Sequence, residues 1–552
     1  MKLTRESVLS EDAGEFDAII IGAGINGAGI ARDAALRGLK VLLIDKGDIA
    51  CGTSGWSTRL IHGGLRYLEY GELGLVRESL RERELLLRHA PHLVRPLPML
   101  IPLYAQASRG PLAIRAAMLA YDLLSFDKSL DHHRMLSKDE TLRRAPGLSS
   151  KGLRGAALYY DTQVEYAERL VLENALDARD NGAMVRTYAR VDRFLVEQGR
   201  VLGVEFTDQL EGSGGHIARA PLTVNVAGPW VDQLIEAALE SPAARLIGGT
   251  KGSHLVASEF TGAPTDALYV EASEDGRPFF IIPWNGQYLI GTTDLRYDGD
   301  LDHVEASDAE IDYLLRETNL VIPQAHLTRA NILYTYSGVR PLAYAARAEE
   351  KGITRRHFIH DHAPDMGGLL SIVGGKLTTY RHLSEQAVNL IFKKLDRKSP
   401  ACLTVSQPLP GAGEDDFAAF RDEFKKMSPL SESVNERLLR VYGTRAALVL
   451  ESAMERDDHV LRESFSPSTG AIGAEILFAF RQEMARTLSD CLMRRTMVGL
   501  GPNVGADDDE RAAIIAQKYL GWSSNRAARE VAAHREYRRR FHPRSMVQVA
   551  SS

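Results

Sequence analysis

"FDAIIIGAGINGAGIARDAALRGLKVLLIDKGD", Phe16 to Asp48, decides the fold. Ala18 to Ile21 is a short apolar run and reads as a strand buried on both faces. It ends in Gly22-x-Gly24-x-x-Gly27. Ile25, Ala28, Ile30, Ala31, Ala34 and Ala35 then recur at helical spacing, and Gly38 stops that helix. "KVLLID" is a second buried strand, ending at Asp45. In such a unit Gly22 permits the tight turn, Gly24 lets the backbone approach a pyrophosphate, and Gly27 lets helix and strand pack closely. The phosphate sits on free N–H groups at the helix N-terminus. Asp45 accepts from ribose hydroxyls. The glycines alone would also suit a turn without a ligand. Strand, glycines, helix, strand and terminal acid in this order favour a dinucleotide site, without choosing FAD over NAD.

Working outward, the chain has 552 residues, so more than one compact unit is expected. Its 44% hydrophobic and 25% charged residues are ordinary for a globular protein. A net charge of −6 argues against a nucleic-acid binder dominated by phosphate contacts. Cys51, Cys402 and Cys491 are isolated, which suits a reducing compartment and excludes a disulfide framework or zinc spacing. The polar N-terminus lacks the apolar stretch of a signal peptide. The longest uncharged run, Pro278 to Thr293, is broken by Pro283 and by Asn285-Gly286, and reads as a hairpin instead of a membrane span.

Further along, Val164 to Arg179 reads as a helix, and "QGRVLGVEF" as the second arm of a hairpin. "LTVNVAGPW" is another buried strand, ending at Gly228. Residues 236–334 mix strand signals with a helix from Asp308 to Asn319. From about 405 the pattern becomes helical, after the Pro-rich "QPLPGAGEDD". Arg81, Arg83 and Arg88 alternate with Glu78, Glu82 and Glu84, and read as surface pairs along a helix.

After the second strand, "DIACGTSGWSTRLIHGGLRYLEYGEL" resembles the FAD-dependent, quinone-linked glycerol-3-phosphate dehydrogenases of the aerobic type. So do "VNVAGPW", "KGSHLV", "IIPW", "IGTTD", "YTYSGVRPL", "ITR" and "GGKLTTYR", in the order of that family and from about Asp17 to Gly501. The resemblance implies an α/β (α+β) fold. It would combine a glutathione-reductase-like FAD-binding Rossmann domain, an inserted mixed-sheet substrate domain and a C-terminal helical domain. The FAD domain would be discontinuous, over residues 16–91, 155–235 and 335–395. The substrate domain would take 92–154 and 236–334, and the helical domain 405–545.

The resemblance also implies roles. Gly22, Gly24, Asn26, Gly27, Asp45, Thr53, Ser54, His62, Gly63, Gly64, Ala189, Gly228, Gly375, Leu377 and Thr378 would hold FAD. Gly63 and Gly64 would bring backbone under the flavin, where a larger side chain would clash. Oxidising C2 of glycerol 3-phosphate calls for cations at the phosphate and a base at the hydroxyl. Arg66, Tyr67, His254, Arg340, Arg355 and Lys376 would bind the substrate. His62, His254 and Arg340 are the catalytic candidates, with either imidazole able to take the proton.

Cys51 reads as a packing residue. The histidine clusters within Asp131–His133 and His357–His362 lack a metal-ligand spacing, so no metal is expected.

The family's partners are glycerol 3-phosphate and membrane quinone. A related branch uses oxygen and carries a long insertion after "GVRPL", for which the stretch from Pro341 to Lys376 leaves no room. An amino-acid or sarcosine-type oxidase on the same fold is the other enzyme reading. A flavin-bound sensor without turnover is the reading from a different class. The expected setting is cytoplasmic, peripheral on the inner face of the cytoplasmic membrane, and a homodimer stays open. Residues 95–124, with Arg109 and Arg115 among apolar residues, read equally as an interfacial segment or a core helix. The basic "REYRRRFHPR" reads as a solvated tail or a lipid contact.

Overall fold

The computed structural model describes residues 12–106, 110–236, 245–345, 356–413, 416–455 and 458–542. A six-stranded sheet runs in the order Phe358–Asp361, Leu369–Val373, Thr223–Asn225, Ala18–Ile21, Val41–Ile44, Met184–Arg186. All neighbours in it are parallel except the first pair. Ala18–Ile21 is central and buried on both faces, as its unbroken apolar run requires. Alternation divides its side chains. Ala18 and Ile20 pack with the helices Ile25–Leu36, Ala167–Asp180 and Tyr380–Lys394. Ile19 and Ile21 face a four-stranded sheet that includes the hairpin of Ala189–Glu197 and Arg200–Asp208.

The second unit is built on a ten-stranded sheet. Its long central pair is Val94–Tyr104 against Leu153–Val164, antiparallel. Leu60–Ile61 adds to one edge, so His62 leaves the end of a strand. Thr250–Ala257 pairs with Gln287–Gly291 and with Ile332–Arg340. Asn285 and Gly286 both take positive φ, at 52° and 71°, as a two-residue hairpin turn demands. Asp308–Val321 is helical and starts on a Ser307–Glu310 capping box. Two of the expected boundaries move. Leu153–Val164 and Ile332–Arg340 are strands of this second sheet, although cuts at 155 and 335 would give most of each to the cofactor unit. Both strands join the units, and an apolar run carries no mark of the sheet it enters.

Phe417 to Arg538 is mainly helical. Within it, the π-helical turn Cys491–Arg495 aims two guanidinium groups at the loop after the second strand. Asp48 there accepts from Arg494 at 2.5 Å and from Arg495 at 2.8 Å. Arg169 and Glu483 make a second buried tie at 2.6 Å.

The helix Leu73–His89 leaves Arg81 and Arg88 exposed, as surface pairing requires, but corrects the reading for three of its neighbours. Arg83, Glu82 and Glu84 are buried. Arg83 binds Asp161 at 2.7 Å, and Glu82 binds Arg381 at 2.6 Å. Residues 95–124 divide into the strand and a helix, Pro111–Leu124. That helix buries Ile114, Met118 and Tyr121, and leaves Leu112, Leu119 and Leu123 at 82%, 57% and 75% exposure. Within the basic C-terminal stretch, Phe541 is buried and lies 5.3 Å from the Trp56 ring. The stretch is therefore no loose tail up to that point.

Candidate active site

A cavity of about 2000 Å³ lies where the three units meet. The glycine turn forms one end. Gly22 takes φ +113°, and a Cβ there would stand 2.6 Å from the Val226 carbonyl oxygen. A Cβ on Gly27 would collide with the Gly22 carbonyl, so its role is the close helix–strand packing read from the motif. Ser54 Oγ accepts from the Ile25 N–H at 3.0 Å, and Thr53 donates to the Val339 carbonyl at 2.7 Å. Asp45 accepts from the N–H of Ala23 at 2.6 Å and of Gly47 at 2.8 Å. Burial pushes its carboxyl up, against those two hydrogen bonds.

Gly374 and Gly375 turn the chain with φ +80° and +103° after the strand Leu369–Val373. Asn26 fills the space a Gly375 Cβ would take and donates to the Gly374 carbonyl at 3.2 Å. Its Oδ1 is buried without a hydrogen-bond partner. Lys376 follows, and its Nζ is likewise buried without one, 4.2 Å from the centre of the Tyr67 ring. Thr378 Oγ1 accepts the His62 N–H at 3.2 Å.

His62 faces the cavity. Burial pushes its imidazole down to about 4; Asp161 opposes that, while Lys376 and Arg83 add to it. His254 lies in the strand Thr250–Ala257, stacked on Tyr336 at 4.8 Å, with Nε2 3.0 Å from Thr58 Oγ1. Burial, then Arg340 and Arg59, hold it well below the usual histidine range. Arg340 donates to Asp294 at 2.9 Å and to Thr292 Oγ1 at 3.1 Å. Arg66 donates to Tyr70 at 3.2 Å.

The cavity thus gathers nearly every residue singled out in the sequence. Ala189, Gly228, Gly64 and Leu377 line it with those already described. Gly27 and Gly63 stand behind its wall. Arg355 lies outside the described residues. Gly63 has a reason within the protein itself. A Cβ there would strike Tyr121 and Leu80, so protein packing requires the glycine. Gly64 takes φ +76° with the Tyr67 ring folded back upon it.

Sequence reasoning missed Asp161, which lines the cavity, and the C-terminal residues Arg494, Tyr537 and Phe541. A carboxylate inside the apolar strand "LYYDTQV" was the available signal for the first. No motif marked the others.

The orphan Asn26 Oδ1, the glycine turn and the terminal Asp45 fit a flavin dinucleotide, and the architecture is that of an FAD-dependent oxidoreductase. The family model described as FAD dependent oxidoreductase matches residues 17–381. The model of the C-terminal domain of alpha-glycerophosphate oxidase matches residues 402–527. The chain is 48% identical over 534 residues to a glycerol-3-phosphate dehydrogenase of Synechocystis sp., covering 95% of this chain and 96% of that one. A glycerol-3-phosphate dehydrogenase of Mycobacterium leprae is 36% identical, over 94% and 87%. The structure is similar to that of the Bacillus halodurans glycerol-3-phosphate dehydrogenase complexed with FAD. The TM-score is 0.77 at 28% identity, over 96% of this chain and 95% of that one. The chain belongs to the FAD-dependent glycerol-3-phosphate dehydrogenase family.

Proposed function

We propose that this protein oxidises sn-glycerol 3-phosphate to dihydroxyacetone phosphate. The observation that carries the reading is the Lys376 ammonium, buried without a hydrogen-bond partner in the same cavity as a neutral imidazole. A buried cation left unpaired costs free energy that an anionic ligand recovers. Bound in the cavity, FAD supplies the acceptor for the hydride leaving C2. Asn26, Asp45, Thr53, Ser54, Ala189, Gly228 and the Gly375–Thr378 turn are the residues to hold it.

The rest of the chemistry falls to side chains. Lys376, Arg66 and Arg340 supply positive charge for the phosphate, and Tyr67 and His254 shape its surroundings. His62 is the better placed proton acceptor. It is neutral at pH 7, and no hydrogen bond to its ring occurs among the described residues. His254 already contacts Thr58 and packs on Tyr336, which suits a residue that orients substrate.

Anaerobic addition of glycerol 3-phosphate should bleach the oxidised flavin absorbance; a spectrum that stays unchanged sinks the reading. Bleaching by sarcosine or amino acids in its place would move the protein to the amine-oxidase reading. The oxidase reading draws on the description of the C-terminal family model. Rapid peroxide formation in air, with no transfer to a soluble quinone, would establish it.

We further propose a membrane quinone as the acceptor and the helix Pro111–Leu124 as the lipid contact, at the inner face of the cytoplasmic membrane. No helix among the described residues is long and apolar enough to cross a membrane. The exposed Leu112, Leu119 and Leu123 on one amphipathic helix support contact in the interface plane. Replacing all three with Ser should abolish co-sedimentation with anionic vesicles while leaving bleaching intact.

A further inference from the structure

We propose that Tyr121 and Asp161 are positioning residues that hold His62 in its reactive attitude. The inference rests on the proton-accepting role read for His62. The two residues reach the active-site loop from different elements, Tyr121 from the helix Pro111–Leu124 and Asp161 from the strand Leu153–Val164. The Gly63 N–H donates to Tyr121 Oη at 2.9 Å and to Asp161 Oδ1 at 3.2 Å. The tyrosine hydroxyl in turn donates to Asp161, 2.8 Å from Oδ1 and 3.0 Å from Oδ2. Arg83 holds the same carboxylate at 2.7 Å from the helix Leu73–His89. Tyr121, Asp161 and Arg83 are all buried.

Such a network carries a large desolvation cost that an apolar cluster filling the same space would avoid. Its position accounts for it. The amide it grips belongs to the peptide that joins His62 to Gly63. The N–H on the other side of His62 is held by Thr378 Oγ1. The backbone of His62 is thus clamped at both peptides, and its ring is aimed without a side-chain partner of its own among the described residues. A base gains from being fixed, because a small misplacement of a reacting group costs one to two orders of magnitude in rate. The same contact explains the glycine: a Cβ on Gly63 would occupy the place of the tyrosine hydroxyl. Asp161 adds a second effect, since its charge lines the cavity and favours a proton arriving on His62.

The test compares wild-type and Tyr121→Phe holoenzymes by anaerobic stopped-flow bleaching with glycerol 3-phosphate. Tyr121→Phe should lower the limiting reduction rate about tenfold. The half-saturating substrate concentration and the FAD content should stay within twofold of wild type. Asp161→Asn keeps the shape and should show the same division. In a His62→Gln background, adding Tyr121→Phe should slow reduction less than it does alone, because both changes remove one function. A wild type that does not bleach overturns the dehydrogenase reading itself. With a competent wild type, three results overturn the positioning role alone. They are unchanged limiting rates in both variants, FAD loss in proportion to lost rate, and fully multiplicative effects with His62→Gln.

Discussion

The ammonium of Lys376 sits 4.2 Å from the centre of the Tyr67 ring, and among the described residues that ring stands in the place of a hydrogen-bond acceptor. A cation over an aromatic face is worth about 0.5–2 kcal/mol, and an anion in the cavity would add charge-assisted hydrogen bonds to it. The site is thus poised for an anion. Lys376→Met should raise the glycerol 3-phosphate concentration for half-maximal bleaching more than tenfold. FAD content should be retained. Unchanged half-saturation would show that the ammonium serves the cofactor instead.

Arg340 enters the cavity already oriented by Asp294 and Thr292. Arg340→Ala should raise the apparent KM for glycerol 3-phosphate far more than it lowers flavin content. Arg340→Lys should recover little, because an ammonium cannot reproduce the fork that holds two partners at once. Full recovery by Lys, in steady-state assays, would reduce the role to charge alone.

The imidazole of His62 is pushed down to about 4 by burial, so it is already neutral at pH 5.5. The limiting rate of flavin reduction should therefore show no acid limb near 6.5, the ordinary histidine value. A rate that falls with a midpoint near 6.5 would transfer the proton-accepting role elsewhere. The stability effect has a definite sign. The unfolded chain takes up a proton below about 6.5 and the folded site does not until about 4, so His62 lowers stability as pH falls through that window.

Asp48 carries two buried cations. Burial pushes its carboxyl up, but Arg495 and Arg494 outweigh that and hold it below the usual range. Its contribution is complete above about pH 3.9 and is lost as acid protonates it below that value. Asp48→Ala leaves both guanidinium groups buried and without their shared carboxylate, a loss on the order of 3–5 kcal/mol. Thermal unfolding at pH 7 should register it as a fall in Tm of several degrees. An unaltered Tm would mean that solvent reaches the pair.

The cofactor unit was legible from Phe16 to Asp48 because its requirements fall on the backbone, and glycine records them at fixed spacing. The helix around Arg83 misled for a related reason. Alternating charges imply solvent only when their partners are local, and those of Arg83 and Glu82 lie on distant segments, at Asp161 and Arg381. Gly63 was visible as a constraint but not as to cause, since Tyr121 arrives from a helix 58 residues away in sequence. Arg340 and Lys376 stood out because each follows a glycine within a short stretch that holds no other charge, Arg340 at a strand end and Lys376 after a turn. The wall supplied by Arg494, Tyr537 and Phe541 had no such punctuation, and the basic run around Tyr537 and Phe541 pointed to solvent or lipid instead.

The clasp of Asp48 by Arg494 and Arg495 joins the C-terminal helices to the loop just beyond Asp45, on the rim of the cofactor cavity. Asp48 and Arg494 both line that cavity, so a ligand lying against them would touch both sides of the junction. Occupancy and domain docking are then linked variables: a ligand present at a hundred times its Kd adds about 2.7 kcal/mol to the assembled state. An FAD that bridged the two sides would act as a structural adhesive as well as a reagent. Limited proteolysis of the C-terminal helices should consequently run faster in protein stripped of flavin, and slow again as FAD is titrated back.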